Sequence, residues 1–188
     1  MTKDQSAIGR RAVLRSAAAL AVGSSLLETP GAAASAPQLT SNPGDFEFLA
    51  GEWRIHHRQR QQNGEWQDYD GEATVHSLLA GVASIEELRV PSRNFSGMGV
   101  RLLDVAGRRW ADYWVSSRTG ILSPPPMWGG FANGAGIFTA QDNEDGRPVV
   151  YRGVWDRITP TSCRWRQGVS RDAGQSWDES WFMDWRRA

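Results

Sequence analysis

Residues 53–64 read WRIHHRQRQQNG, and this stretch decides the fold class. Its side chains alternate, so that Trp53, Ile55 and His57 would share one face of a strand and the residues between them the other. Asn63-Gly64 then forms a two-residue hairpin signal, because both residues tolerate positive φ. The stretch predicts a half-buried strand that turns back into an antiparallel neighbour.

The same pattern of short β-type runs and turn signals recurs along the chain. The further runs are 73–79, 82–90, 98–105, 109–116, 136–141, 148–157, 162–170 and 176–186. About ten strands with hairpin links favour a closed barrel, which alone removes exposed sheet edges. Residues 123–130, SPPPMWGG, are the exception, since proline cannot serve a central ladder. They predict a stiff loop across a barrel mouth or an edge segment.

Length and charge restrict the classes of protein that remain. The chain has 188 residues, a length typical of one domain with a short appendage. Its first 34 residues hold four of the 21 basic and two of the 21 acidic side chains, which leaves 17 basic and 19 acidic. A nucleic-acid-binding protein normally shows a basic stripe, so no nucleic-acid partner is expected. Cys163 is the only cysteine, so no internal disulfide can form.

The N-terminal segment has the composition of an export signal. Gly9 to Arg15 reads GRRAVLR, and an apolar run, Pro30 and three alanines follow. A charged start, an apolar middle and small residues before a cleavage site describe a secretory signal, and the paired arginines resemble the twin-arginine type. The apolar run is too short to span a bilayer, so no membrane anchor is expected after cleavage. We predict a signal peptide at 1–34, a flexible leader at 35–44, a barrel domain at 45–188, and a periplasmic or secreted location.

One motif predicts a hairpin and no chemistry. Residues 170–177, SRDAGQSW, resemble the Asp-box of sialidases at every defined position. In that family Asp accepts turn amides, Gly takes a conformation closed to other residues, and Trp packs beneath. The motif occurs once here, in a chain too short for a propeller, and function resides in sites and not in folds. It therefore indicates a structural turn.

No metal or cofactor is expected from the residues. The three histidines are His56, His57 and His76, and adjacent strand residues point to opposite faces, so at most one of the first two enters a barrel. No cluster has zinc-ligand spacing. A haem ligand late in the chain, as in nitrobindin relatives of such barrels, has no counterpart after His76. No nucleophile elbow, phosphate loop or dinucleotide fingerprint occurs.

A family resemblance covers nearly the whole predicted domain. Its landmarks are DFEFLAGEW at 45–53, IEE at 85–87, VRLLD at 100–104, WADYWV at 110–115, RWRQGVS at 164–170, and Trp181. This ordered set resembles a family of bacterial calycin-like domains of unknown function. The resemblance implies a barrel of about ten strands in which Trp53 packs under a late arginine, Arg186 or Arg187, at the closed end. It implies no reaction.

Three possible functions remain: a small-molecule-binding module, an enzyme and an interaction protein. A binding module would take a small apolar or aromatic molecule, with a possible anionic group, in an aromatic pocket with a few polar anchors. Its predicted ligand-binding residues are Arg101, Trp114, Arg152, Trp155, Trp165 and Gln167. A cofactor-independent lyase, isomerase or hydrolase on an aromatic or sugar-derived substrate would use Glu87 or Asp112 as general base and an arginine to stabilise negative charge. The third is an interaction protein whose barrel is filled by its own tryptophans.

The sequence does not determine which side chains of several strands point into the barrel. Glu86 or Glu87 could point inward, and Asp156, Arg164 and Asp184 lie in similar runs. Buried charges need partners, so a paired structural network is the alternative to a binding site. The oligomeric state also stays open.

Overall fold

Ten antiparallel strands form a closed barrel in the computed structural model, which describes residues 39–188. The strands are β1 (Gly51–Arg60), β2 (Trp66–Leu78), β3 (Ala83–Val90), β4 (Phe95–Asp104), β5 (Arg109–Ser116), β6 (Met127–Ala132), β7 (Ala135–Glu144), β8 (Arg147–Asp156), β9 (Ser162–Ser170) and β10 (Asp178–Arg187). Single 3-10 turns lie at Glu47–Leu49, Leu79–Gly81 and Pro91–Arg93. The predicted fold class is confirmed. The predicted signal peptide lies outside the described residues.

Closure of the barrel comes from the pairing of the first strand with the last. Each strand pairs with its neighbours in the sequence, and β1 also pairs with β10, with Trp53 opposite Arg187. A sheet closed in this way has no free edge along which another chain could add. Within residues 39–188, no helix is long and apolar enough to cross a membrane.

One end of the barrel is sealed around Trp53, as the family resemblance implies. The Trp53 indole N–H donates to the Leu49 carbonyl at 2.7 Å, and the Arg187 guanidinium lies 4.1 Å from the ring centroid. Arg187 also donates to the carbonyls of Phe48 and Ala50. Gly51 has φ +122°, and a Cβ there would lie 2.5 Å from the guanidinium. The seal therefore needs glycine at 51, tryptophan at 53 and arginine at 187 together.

Residues 40–44 form backbone hydrogen bonds with the barrel. Thr40 pairs with Phe131 through two backbone hydrogen bonds of 3.2 and 3.3 Å, and Ser41 is buried. The Gly44 N–H donates to the Gly81 carbonyl at 3.0 Å. Residues 40–44, part of the predicted flexible leader, are thus attached to the barrel.

The proline-rich stretch leads into β6, the shortest strand of the barrel. β6 has six residues and makes only three pairs with β5, from Trp110 to Asp112. Beyond them, Leu122 bridges Val115, and the Ser123 N–H donates to the Trp114 carbonyl at 3.3 Å. Residues before β6 therefore continue along β5. Residues 127–130 lie within β6, between β5 and β7, so neither predicted form, a mouth loop or an edge segment, describes them.

The Asp-box motif forms the turn between β9 and β10. Asp172 accepts hydrogen bonds from the Ser176 N–H at 2.9 Å and from the hydroxyls of Ser176 and Ser170 at 2.6 and 2.7 Å. Gly174 has φ +94°. The hydrogen bonds from Ser176, with that from Ser170, lower the pKa of Asp172 to about 2. The motif is a structural turn, as predicted.

Candidate functional site

The inner face of the barrel is aromatic at its sealed end. Trp155 contacts Trp185 edge to face with ring centroids 5.3 Å apart, and Trp53 contacts Trp185 at 5.9 Å. The largest fully buried side chains include four tryptophans and a phenylalanine: Trp53, Trp110, Trp155, Trp185 and Phe138. We call this group the aromatic floor. It makes the bottom of the interior apolar, except for the indole N–H groups.

A buried ion cluster lies beside the floor. Arg101 on β4 donates to Glu86 on β3, and its Nε lies 3.7 Å from Oδ1 of Asp112 on β5. The exposed fractions of the three residues are 4%, 2% and 6%. Burial disfavours the charged guanidinium, but the carboxylates of Glu86 and Asp112 outweigh that effect and raise the pKa of Arg101. Arg101 is therefore a permanent cation.

Neighbouring residues shape the space around this cation. The Arg101 guanidinium carbon lies 5.2 Å from the Phe46 ring centroid and 5.3 Å from that of Trp155. A Cβ at Gly99 would lie 3.0 Å from Nη2 of Arg101 and 3.3 Å from the Glu86 carboxylate. The glycine thus leaves room for the ion pair, and the aromatic rings favour the cation through their electron-rich faces.

Several buried donors at this cluster have no hydrogen-bond partner. Within residues 39–188, no hydrogen bond is found for Nη1 of Arg101, for the indole nitrogens of Trp155 and Trp185, or for the Ser84 hydroxyl. Nε of Arg101 has only its ion pair with Asp112. Ser84 is paired with Arg101 across the β3–β4 ladder. A buried polar group without a partner costs about 1–3 kcal/mol. The interior therefore presents several donors that a ligand oxygen could satisfy.

A second polar group lies further along the interior. His57 is fully buried, and the Trp181 indole N–H donates to its Nδ1 at 3.2 Å. The ring stacks on Tyr69 with centroids 4.5 Å apart and an interplanar angle of 8°. Sequence reasoning did not choose His57 as a site residue. Its alternation with Trp53 and Ile55 was the signal that places it inside.

Most of the predicted ligand-binding residues lie on the inner face, although two predicted site residues do not. The inward ones are Arg101, Trp114, Trp155, Trp165 and Gln167, together with Asp112. Trp165 contacts Trp181 at 5.5 Å, Trp114 contacts Phe95 at 6.5 Å, and the buried Gln167 Oε1 has no partner within residues 39–188. The structure therefore brings Arg101 together with Asp112 and Trp155.

Arg152 and Glu87 lie on the outer face, which corrects both predictions. Arg152 forms an ion pair with Glu179 at 2.5 Å and stacks 4.0 Å from the Trp177 ring centroid. Its neighbour Gly153 faces inward against Trp165. The Glu87 side chain is 61% exposed and pairs with Arg89 at 2.9 Å. Because strand side chains alternate, the inward glutamate is Glu86.

The described residues offer no metal site or activated thiol. Among residues 39–188, no group of three or more histidine, cysteine, aspartate or glutamate residues could hold a metal ion. Cys163 is buried, and its burial, with the nearby negative charge of Glu86, raises its pKa to about 12. A thiol with that pKa is not a nucleophile at neutral pH.

Comparison with solved structures gives distant resemblances, of which two are described. The sequence matches no protein-family profile and no curated protein. A protein of unknown function from the DUF3598 family of Nostoc punctiforme is 12% identical with a TM-score of 0.48, and the match covers 81% of this chain and 51% of that one. The S-type phycobiliprotein lyase of Guillardia theta is 11% identical with a TM-score of 0.49, covering 76% and 90%. This chain thus spans about half the length of the first protein. Neither resemblance assigns a function to this chain.

Proposed function

We propose that the barrel binds a small aromatic or apolar molecule in its interior and that Arg101 directs a neutral hydrogen-bond acceptor, such as a carbonyl oxygen, toward the aromatic floor. One observation carries the proposal: Nη1 of Arg101 and the indole nitrogens of Trp155 and Trp185 are buried donors without a hydrogen-bond partner within residues 39–188. A ligand pocket of this kind combines apolar walls with a few placed polar groups. The signal-like N-terminus would place the binding in the periplasm or outside the cell.

Charge balance favours a neutral ligand over an anion. Arg101 is already compensated by Glu86 and Asp112, which lie within 4 Å of its guanidinium. An anion would add a further negative charge where the dielectric is low and both carboxylates repel it. A neutral acceptor avoids that repulsion and still gains hydrogen bonds to a charged donor, each worth about 1.5–3 kcal/mol.

The enzymatic alternative has weaker support in this geometry. Glu87 points to solvent, and the inward Glu86 and Asp112 are both engaged with Arg101. A carboxylate that holds a buried guanidinium must give up that ion pair to accept a proton from a substrate. In a lyase, isomerase or hydrolase, proton transfer to Glu86 or Asp112 would therefore break the ion pair that stabilises the charged carboxylate.

Three matched probes test the proposal. Acetylnaphthalene carries a neutral acceptor, naphthoate carries an anion, and ethylnaphthalene has no polar atom. We expect the ketone to bind about tenfold more tightly than the hydrocarbon, the equivalent of one hydrogen bond of about 1.4 kcal/mol, and more tightly than naphthoate. Calorimetry and tryptophan fluorescence measure the three affinities.

Variants locate the bound probe. Trp155→Phe and Trp185→Phe each keep an aromatic ring but replace the indole and its N–H by a phenyl group, so either or both should reduce the preference for the ketone. Arg152→Met on the outer face is the control and should leave it unchanged. Saturable binding of none of the probes would support a barrel filled by its own side chains. Preference for naphthoate would overturn the neutral acceptor, and equal ketone and hydrocarbon affinities would overturn the role of the donors.

A further inference from the structure

His57 is held rigidly by its neighbours inside the barrel. It lies four residues after Trp53 on β1, about 13 Å along the strand from that residue. One contact is the stack on Tyr69, and the Arg93 guanidinium lies 3.5 Å from the Tyr69 ring centroid. The other is the hydrogen bond from Trp181. Together these contacts fix the plane and rotation of the imidazole.

The hydrogen bond from Trp181 also fixes which nitrogen carries the proton. An indole N–H can only donate, so Nδ1 of His57 must be the acceptor and carries no hydrogen. Burial, with the positive charges of Arg93 and His56, lowers the pKa of His57 to about 3, so the ring is neutral at ordinary pH. A neutral imidazole carries a hydrogen on only one of its two nitrogens. In His57 that hydrogen must therefore lie on Nε2.

The Nε2–H group has no acceptor within residues 39–188, although it is buried. It lies over the inner face of Gly71, where a Cβ would be 2.7 Å from Nε2 and 2.9 Å from the Arg89 carbonyl oxygen. Any residue other than glycine would crowd this nitrogen. Gly71 therefore keeps the inner side of the strand beside the donor free of a side chain.

We infer that His57 is a second ligand-binding residue, whose Nε2–H donates to a neutral acceptor on the ligand. The inference rests on the proposed function and narrows its ligand class. The ligand is an aromatic molecule with two separated neutral acceptors, one for the Arg101 end and one for His57. A molecule with a single acceptor would satisfy only one of the two donor groups and would leave the other desolvated without a partner.

Nuclear magnetic resonance of the free protein tests the tautomer without any ligand. With only three histidines in the chain, the ring nitrogens of His57 can be assigned from the His57→Phe variant. We expect a neutral ring with its proton on Nε2 across neutral pH. In Trp181→Phe, which removes the donor to Nδ1, the proton should exchange between both nitrogens. A proton on Nδ1 in the parent protein would overturn the inference.

A ligand series tests the second contact. The probes are diacetylbenzene, diacetylnaphthalene and diacetylbiphenyl, which separate two acetyl groups by increasing lengths, each with its monoacetyl counterpart. At the length that matches the interior, the second acetyl should raise affinity about tenfold, the effect of one further hydrogen bond. His57→Phe should abolish that gain and keep the monoacetyl affinity. His56→Gln, on the adjacent outward residue, should preserve both.

The outcomes separate the two proposals. If monoacetyl probes bind but no second acetyl adds affinity in the parent, the inference about His57 fails and the proposed function stands. If the gain persists in a folded His57→Phe variant, another residue holds the second acceptor and the inference also fails. If no probe binds at all, both fail, and the tautomer measured in the free protein then reports only a structural hydrogen bond.

Discussion

Two adjacent glutamates give the sharpest test of the interior ion cluster. Glu86 is 2% exposed and holds Arg101, whereas the Glu87 side chain is 61% exposed and pairs with Arg89. Glu86→Gln and Glu87→Gln are therefore the same chemical change on the two faces of one strand. Only the first removes a charge that a buried guanidinium requires.

The expected magnitudes follow from the contacts that remain. Removing one partner of a buried ion pair costs about 3–5 kcal/mol. Glutamine can still accept a hydrogen bond, and Asp112 stays 3.7 Å from Arg101, so we expect the lower end, about 3 kcal/mol. For a domain of this size that corresponds to about 6–12 °C in melting temperature. Glu87→Gln should change stability by less than about 0.5 kcal/mol, because Arg89 keeps its ion pair with Glu72.

Urea denaturation at neutral pH, followed by tryptophan fluorescence and circular dichroism, measures both free energies of unfolding. Coincident transitions in the two signals would support two-state analysis. Equal losses in the two variants, or a Glu86→Gln protein as stable as the parent, would refute the assignment of Glu86 as the buried partner.

Three further predictions concern the seal, the Asp-box turn and the N-terminus. Trp53→Ala should cost about 3–5 kcal/mol of stability by urea denaturation, because the ring is buried and fully contacted, and a variant that unfolds like the parent would contradict that packing. The pKa of Asp172 is lowered from 3.8 to about 2, mainly by Ser176, so its contribution to stability is complete above about pH 4 and is lost as the pH falls through about 2. Asp172→Asn should flatten that acid dependence in thermal melts between about pH 5 and about pH 2. A melting temperature that falls with pH as steeply as in the parent would contradict the role of Asp172 in the turn. From the paired arginines we propose export by the twin-arginine route, so replacing Arg10 and Arg11 with lysine should retain the protein in the cytoplasm on cell fractionation; normal export of the double variant would remove that proposal.

Local patterns in the sequence determined the architecture of the barrel. The alternation of Trp53, Ile55 and His57 has the period of a strand, and turn signals separate the runs at regular spacing. The Asp-box turn depends on contacts within a few residues of Asp172. Features with such short-range causes can be predicted from sequence, because the chain near each residue already contains the interacting groups.

Only the tertiary structure decided which charged residues share the interior. Around Glu86-Glu87 and Arg152 the sequence places a charged or bulky residue on both faces of the strand, so alternation alone does not choose the inward one. The choice follows from the ladders that bring Arg101 beside both Glu86 and Asp112 across three strands. A buried guanidinium needs those two carboxylates, and their approach depends on the register of the closed barrel, which no single segment of the sequence contains.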